Sequence, residues 1–590
     1  MQTLVQTRHT PEHHPRPATR FLPAEAPLAM ATTPLERAAT PRILPTPQAV
    51  LRRRASVFWL AGLAVASLAA VMVVGLGRDG FGVADALILA FFVPNIAWTA
   101  FAAATALCGL FWHRAMRAHK APADWRPRRR TAVLIPARNE PVDELAFRID
   151  RLRRDLAGQG LTPTLDIFVL SDSNTPEAAA AEERMAARFA HEGIYAPPVY
   201  YRRRTDNARR KPGNLAEWIG RWGADYAYML ILDADSRMSG ARIAGLIHRM
   251  ETDPGVGLIQ TGVRLVGARS RFARLQQLAT RLYGDAFASG IAGWSGSEGN
   301  YWGHNALVRV RAFAGAAGLP ALSGPAPLGG EVLSHDFIEA AWLRRAGWGV
   351  EIDPDTTGSA EGGPESMHEY AKRDRRWCQG NLQHLRSLAR ANGLHPVSRL
   401  HLLCGIAGYL AAPMWLGLVL TAVLAGPSGA LALPILGAML LILVQKVAGV
   451  AIWLRRRAGA RSRRIVLGQA LRELAASTLL APIIMVRQTV SVLQVLCGQD
   501  CGWKPAGGAG RTGAMRWPEP MVGLGLVAAV LPGQGDLWQL ALLTPIVAPL
   551  LLAPLASLWL DRAPRRRQTP RARNVRRPVV EPLFGGEACA

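Results

Sequence analysis

Long uncharged apolar runs flank one long polar block in this chain, and that pattern predicts its architecture before any motif is read. Crossing a bilayer as a helix takes about 20 apolar residues, and residues 57–77 supply them without a charge. Residues 84–112 form a second run, with Asp85 at its edge and Pro94 tolerated as a kink, and the link Arg78-Asp79-Gly80 makes the two a hairpin. Beyond the polar block, 402–425 and 430–454 predict another hairpin, turned at Gly426-Pro427-Ser428-Gly429, with Lys446 near enough to a helix end to snorkel. Residues 521–531 and 537–560 predict a third, around Gly533-Gln534-Gly535-Asp536. The stretch 465–496 is apolar but carries Arg472, Glu473, Arg487 and Gln488, so it reads as an interfacial or cavity-facing element or as two tilted spans. Six to eight membrane helices are expected, an even number either way.

The polar block has shorter apolar runs separated by helical stretches. Thr131-Ala132-Val133-Leu134-Ile135 stops at Pro136 and delivers Ala137-Arg138-Asn139-Glu140; Asp166-Ile167-Phe168-Val169-Leu170 ends at Ser171-Asp172-Ser173-Asn174; Tyr228-Met229-Leu230-Ile231-Leu232 ends at Asp233-Ala234-Asp235. Such alternation predicts a parallel, doubly wound sheet with ligands at the carboxyl ends of its strands.

Composition sharpens this picture. At 50% hydrophobic residues and a mean hydropathy of +0.11, the 590-residue chain is too apolar for an ordinary soluble enzyme. Its net charge of +26 and pI near 11.0 would by themselves suggest a nucleic-acid partner. The basic clusters, however, lie beside apolar runs: Arg52-Arg53-Arg54, 114–130, Arg455-Arg456-Arg457 with 461–464, and 562–577. All fall on one side of the predicted topology, which the positive-inside rule makes the cytoplasm, together with the polar block and both tails. Anionic membrane lipid accounts for the charge without nucleic acid. Residues 1–50 lack a secretory apolar core and read as a disordered cytoplasmic tail. They are followed by a hairpin at 51–115, a soluble-type domain at 130–390, four to six transmembrane or interfacial helices at 400–560 and a basic tail at 561–590. Six scattered cysteines without a CxxC pair predict neither a disulfide scaffold nor a zinc site.

The acidic strand ends are the candidate chemistry. A lone acid after a strand is commonly a helix cap, so Asp172 alone reads more readily as structural. Asp233 and Asp235, at alternate positions, put two carboxylates on one side, an arrangement that is costly when buried unless a cation neutralises it. Their spacing suits Mg²⁺ or Mn²⁺ holding a diphosphate, although such a tripeptide also recurs by chance. Lys211-Pro212-Gly213-Asn214 follows Arg202-Arg203-Arg204 and Arg209-Arg210, and reads equally as a solvated basic loop or as a cationic wall of that site.

The ordered set Ile135-Pro136-Ala137-Arg138-Asn139-Glu140, Asp172, Lys211-x-Gly213-Asn214, Asp233-x-Asp235, Ser334-His335-Asp336 and Arg373-x-x-Arg376-Trp377 resembles the processive family 2 glycosyltransferases, which include cellulose and hyaluronan synthases. Longer stretches at 202–218, 232–238, 299–305, 334–340 and 373–383 are similar to the glucan-building branch found in Gram-negative bacteria, and the match covers roughly residues 50 to 505. The resemblance implies a multi-pass α-helical membrane protein with a cytoplasmic α/β nucleotide-diphospho-sugar transferase domain of the glycosyltransferase A type, in the bacterial inner membrane. Its implied activity polymerises glucose from UDP-glucose into the β-linked backbone of osmoregulated periplasmic glucans, by inverting single displacement coupled to export. On that basis Asp172 meets uracil and ribose, Asp233 and Asp235 hold the metal and UDP, and Lys211 supports the diphosphate. Asp336 is the general base, Arg376 steadies the diphosphate and Trp377 stacks on the acceptor sugar. Arg373 stands where the wider family has Gln, and Ser334-His335 where it has Thr-Glu. The segment 293–299 lacks the Lys-Ser/Thr of a P-loop and is expected to be an acceptor-side loop, with Trp302 and His304 near the sugar. Implied partners are UDP-glucose, the growing glucan and membrane lipid, with acyl carrier protein and a periplasmic glucan-biosynthesis protein implied for some relatives only. A different polysaccharide synthase and a nucleotide-sugar-sensing transporter are the competing readings, the latter disfavoured by an intact base.

Overall fold

Alternation along each strand decides the layers of the polar domain, because strands buried on both faces need apolar side chains in both directions. Val133, Ile135, Ile167, Val169 and Leu230 face one core, and Ala132, Leu134, Phe168, Leu170 and Met229 face the other. The computed structural model describes residues 22–36, 45–116, 119–191, 196–426, 429–456, 459–501, 518–530 and 537–564. Its strands are β1 (Thr131–Ala137), β2 (Leu165–Ser171), β3 (Val199–Arg203), β4 (Tyr228–Ile231), β5 (Arg237–Met238), β6 (Val256–Thr261), β7 (Arg264–Val266), β8 (Ala306–Arg309), β9 (Gly349–Asp353) and β10 (Ser359–Gly362). Seven form one sheet in the order β3-β2-β1-β4-β8-β6-β9, and β5-β10-β7 form a second, smaller one. The large sheet is mixed, not wholly parallel as expected: β8 runs antiparallel between β4 and β6. The chain reaches β8 after the long α7, which packs on α2 and α13.

Helices α3 (Val142–Gly158), α4 (Pro176–His191), α5 (Arg210–Trp222), α6 (Gly240–Thr252), α8 (Val310–Ala316) and α9 (His335–Arg345) cover the sheet. Helices α7 (Arg271–Ser295), α10 (Met367–Leu382) and α11 (His384–Arg390) join it to the apolar bundle. That bundle contains α1 (Gln48–Leu76), α2 (Val83–Trp112), α12 (Pro396–Ala425), α13 (Ala432–Arg456), α14 (Ala460–Leu496), α15 (Pro518–Val530), α16 (Leu537–Leu551) and α17 (Ala553–Asp561).

Five of these, α1, α2, α12, α13 and α14, are long and apolar enough to cross a membrane, or six if a pair bent by 65° at 552 counts as one span. Helices α1/α2 and α12/α13 are hairpins whose catalytic-side ends are pinned by Arg54 to Glu298, His113 to Ser289, His401 to the Glu298 carbonyl and Arg456 to Asp285. At the α2–α7 crossing, a Cβ on Gly109 would overlap the Ala286 carbonyl and one on Gly290 the Thr105 carbonyl, so only glycine permits this approach.

Helix α14 instead follows the membrane face of the catalytic domain: Val466 packs with Leu282 and Trp453, Leu480 and Ile483 with Phe272 and Met367, and Val495 with Cys378 and Leu382. Two of its charges are paired, Glu473 with Lys446 and Arg487 with Glu519. Lys446 does not snorkel; its Nζ lies 2.7 Å from Glu473 Oε2 and 3.1 Å from Ser477 Oγ, and Tyr283 donates to the same carboxylate. An ammonium beside a carboxylate in an apolar bundle is held more strongly than it would be by the headgroups. The last expected hairpin is shallower than predicted. Helix α15 has 13 residues, and Pro545, Pro549 and Pro554 remove amide donors where a straight span would need them. Its turn at 533–536 lies outside the described residues, as do 1–21, 37–44 and 565–590 of the tails.

Within the expected disordered tail, residues 22–36 form an extended strap on the catalytic domain. Leu28 N–H donates to Ile219 O, Ala26 N–H to Arg221 O and Thr33 N–H to Gly318 O. Leu22, Leu28 and Met30 pack on the core, and Leu35 is buried among Ile338, Trp342 and Leu394. Apolar anchors spaced through a Pro- and Ala-rich stretch explain why it docks despite its composition.

Candidate active site

Strand β4 ends by delivering Asp233 and Asp235 into a cleft. A tight turn fixes them, with the Asp233 N–H donating to Ser236 Oγ at 3.1 Å and the Ser236 N–H to Asp233 O at 2.9 Å. Lys211, in the first turn of α5, places its ammonium on the Asp233 carboxylate. The preceding loop turns sharply, with Arg209 and Arg210 at φ of 56° and 51°, and a side chain at Gly213 would strike the Ala208 carbonyl. Buried Asn214 locks this helix start to the sheet by donating to Leu170 O (3.1 Å) and accepting from Arg202 (2.6 Å).

Four carboxylates converge here. Burial raises the Asp235 pKa, with the Asp233 charge adding to it; burial and then Asp235 raise that of Glu140. Glu361 is likewise raised, first by burial, although His304 opposes it. For Asp233 burial also pushes upward, but Lys211 and then His304 outweigh it and hold the group below its ordinary value. Hard oxygen donors crowded into mutual repulsion, with an ammonium already resting on one of them, fit a divalent cation. Asp233 and Asp235 are the residues that could hold it; among the described residues no group of three or more His, Cys, Asp or Glu is arranged to do so.

Asp336 is the second residue of α9, and its carboxyl stands over Gly303, where a Cβ would come 3.6 Å from Oδ2. Tyr301 OH donates to the Gly303 carbonyl at 2.7 Å and so fixes that floor. Burial raises the Asp336 pKa; His335 pulls it back and Glu339 pushes it up. His335 Nδ1 lies 2.9 Å from Glu339 Oε2 on the next turn.

Arg376 and Trp377 lie on α10, and Trp377 is 51% exposed. Burial, then Arg373, depress the Arg376 pKa, Cys501 opposes them, and Arg210 adds a smaller push in the same direction as Arg373. Arg373, at the Gln position, pairs with Glu369 at 3.0 Å while still acting on Asp235.

Other sequence candidates fall differently. Asp172 is clasped by Arg204 through both carboxylate oxygens, so it offers a paired carboxylate to a ligand. His304 places its Nε2 3.2 Å from Glu361 and feels the charge of Asp233. Trp302 is half-buried, its N–H donating to Gln260 at 2.9 Å. In the segment 293–299, Gly296 packs on Val50, and buried Glu298 pairs with Arg54 at 2.6 Å and Arg344 at 3.3 Å. Glu298 thereby joins α1, through Arg54, to α9, through Arg344. Sequence reasoning gave no role to Glu140, although its strand end pointed to one. It missed Glu361 altogether, since β10 is four residues with no period.

Residues 132–315 match the glycosyl transferase family 2 model, and 228–451 match that of glycosyl transferase family group 2. Proteins named glucans biosynthesis glucosyltransferase H from Bradyrhizobium diazoefficiens and Rhodopseudomonas palustris are 39% and 38% identical, over 91% and 96% of this chain and 77% and 83% of theirs. One from Xanthomonas campestris is 39% identical over 84% of this chain and 82% of its own. A solved mannosyltransferase from Pyrobaculum calidifontis, in complex with GDP-Man and Mn²⁺, aligns with 62% of this chain and 98% of its own at 19% identity and a TM-score of 0.39, too distant to bear on donor or metal.

Proposed function

This chain belongs to the glucans biosynthesis glucosyltransferase H family within glycosyl transferase family 2, and from that premise we propose that it builds the β-linked backbone of periplasmic glucans from UDP-glucose. It is a glycosyltransferase. The observation that carries the fuller reading is that Asp233 holds the Lys211 ammonium while Tyr301, whose hydroxyl fixes the Gly303 floor beneath Asp336, feels, after its burial and Glu339, the charges of both Asp336 and Asp233.

Asp233 and Asp235 would hold Mg²⁺ or Mn²⁺, whose charge offsets that of a leaving diphosphate. Lys211 and Arg376 bring further positive charge to the phosphate oxygens. Asp336 accepts the proton of the acceptor hydroxyl as that oxygen bonds to the anomeric carbon and the bond from that carbon to UDP breaks, which inverts α to β. Trp377 offers the acceptor sugar an aromatic face. In this reading the catalytic domain and the basic helix ends at Arg54 and Arg456 face the cytoplasm, where the nucleotide sugar is made, and the hairpins receive the product.

The test is to incubate purified protein with labelled UDP-glucose and a divalent cation. UDP release with a β-linked glucose polymer supports the reading; binding without release would leave a sensor, and turnover of another nucleotide sugar in place of UDP-glucose in a parallel incubation would move the donor.

A further inference from the structure

We propose that Gln383, the residue joining α10 to α11, is a positioning residue for transfer, holding the loop that delivers Asp336 against the helix that carries Arg376 and Trp377. This rests on the reading of Asp336 as the base. The Gln383 side chain is 1% exposed and is spent entirely on main chain of the segment 327–333. Its Oε1 accepts the Leu333 N–H at 2.9 Å, and its Nε2 donates among the carbonyls of Pro327, Gly329 and Glu331 at 3.2, 3.3 and 3.1 Å. One amide thus ties four points of the loop that ends at Ser334, the residue before α9.

Two neighbours press the same contact. His384 Nε2 lies 3.4 Å from Ser334 O, and a Cβ on Gly380 would strike Ser334 Oγ and N. Gln379 adds a bond from Nε2 to Pro327 O at 3.1 Å. Trp377 and Gly380 are three apart, close to one turn of α10, so the exposed aromatic and the contact with the base loop belong to one rigid piece. The acceptor platform and the group that would deprotonate the acceptor hydroxyl are therefore held in a single register, and reaction between oriented groups falls steeply when that register slips.

The test uses purified full-length protein and measures glucose transferred to glucan, free glucose released to water, and the KM for UDP-glucose. Gln383→Met keeps the volume and removes every polar contact. Transfer should fall about 10- to 100-fold with KM unchanged within about twofold, and free glucose per glucose transferred should rise about tenfold. A smaller amount of folded protein lowers both products equally, so that ratio separates positioning from simple loss of fold. If Gln383→Met does not fold, Gly380→Ala presses a methyl group directly on Ser334 and should move the ratio in the same direction. An unchanged ratio, or unchanged transfer, overturns the proposal. Asp336→Asn is measured beside them: an inactive Asp336→Asn with an unchanged ratio for the Gln383 variant sinks this proposal alone, whereas an active Asp336→Asn removes the base reading on which it stands.

Discussion

Arg345 Nη1 donates to the Leu35 carbonyl at 3.0 Å, so a buried guanidinium at the end of the base helix is satisfied by the main chain of the N-terminal strap. Nη2 reaches Pro34 O at 3.2 Å and Nη1 also Asn392 O at 3.3 Å; among the described residues no carboxylate pairs with it, and burial lowers its pKa to about 10. Strap and cation are coupled, because each leaves the other unsatisfied when removed. Deleting residues 22–36 should destabilise the protein, and Arg345→Met should shrink that loss by about 1–3 kcal/mol. Strictly additive losses in thermal or denaturant unfolding would show that the strap merely covers apolar surface.

At the metal end, Asp235→Ala should weaken UDP binding in the presence of Mg²⁺ or Mn²⁺ by at least about tenfold and remove most of the dependence on the cation. Calorimetric titration of UDP at several metal concentrations reads both. Affinity and metal dependence that survive the change would place the diphosphate elsewhere.

The strand ends were legible because a sheet delivers its polar groups where apolar runs stop, and Asp233 and Asp235 stand at such a stop. Glu361, Gln383 and Glu298 were not, since each acquires its partners from segments far away in sequence: His304, the 327–333 loop and Arg54. The reversal of β8 was hidden too, because its four residues carry no pattern that distinguishes an antiparallel from a parallel partner. Lys446 misled because hydropathy shows a helix its distance from the interface but not the carboxylate of a neighbouring helix.

Asp336 should be the group whose ionisation limits the reaction at low pH. As a base it works deprotonated, and burial raises its pKa above the ordinary carboxylate value, so kcat/KM should be lost as pH falls through that raised value and level off above it. Asp336→Asn should lower kcat by about 10²- to 10⁴-fold on the plateau above that limb, by less below it, and leave UDP affinity nearly unchanged. An acidic limb that persists in residual Asp336→Asn activity would assign the limb to another group.

Asp374 turns inward from α10, hydrogen-bonded to Tyr409 OH at 3.3 Å and Gln488 Nε2 at 3.4 Å, and burial raises its pKa to about 6. A folded-state pKa above the unfolded one gives a contribution to stability that is present at low pH and lost as pH rises through about 6. Asp374→Asn keeps both acceptor contacts without the charge. It should therefore stabilise the protein at pH 8 by about 3 kcal/mol at most, with the gain vanishing near pH 4. A gain of equal size at both pH values would point to packing instead of charge.

Trp377 and Arg376 should separate elongation from donor use. An aromatic face stacks on a sugar ring and gives little to a diphosphate, so Trp377→Ala should shorten the glucan while the KM for UDP-glucose stays within about twofold. Arg376→Ala should raise that KM and lower kcat together, because the guanidinium fork pairs with phosphate oxygens in both the bound donor and the departing UDP. Trp377 is half-exposed on a helix that borders the apolar bundle, where a tryptophan also serves as an interfacial anchor. Shortened product from a variant that is inserted and folded normally supports stacking. Poorly inserted protein, with product of normal length from the fraction that remains active, would make Trp377 an anchor and leave the acceptor platform to be found elsewhere.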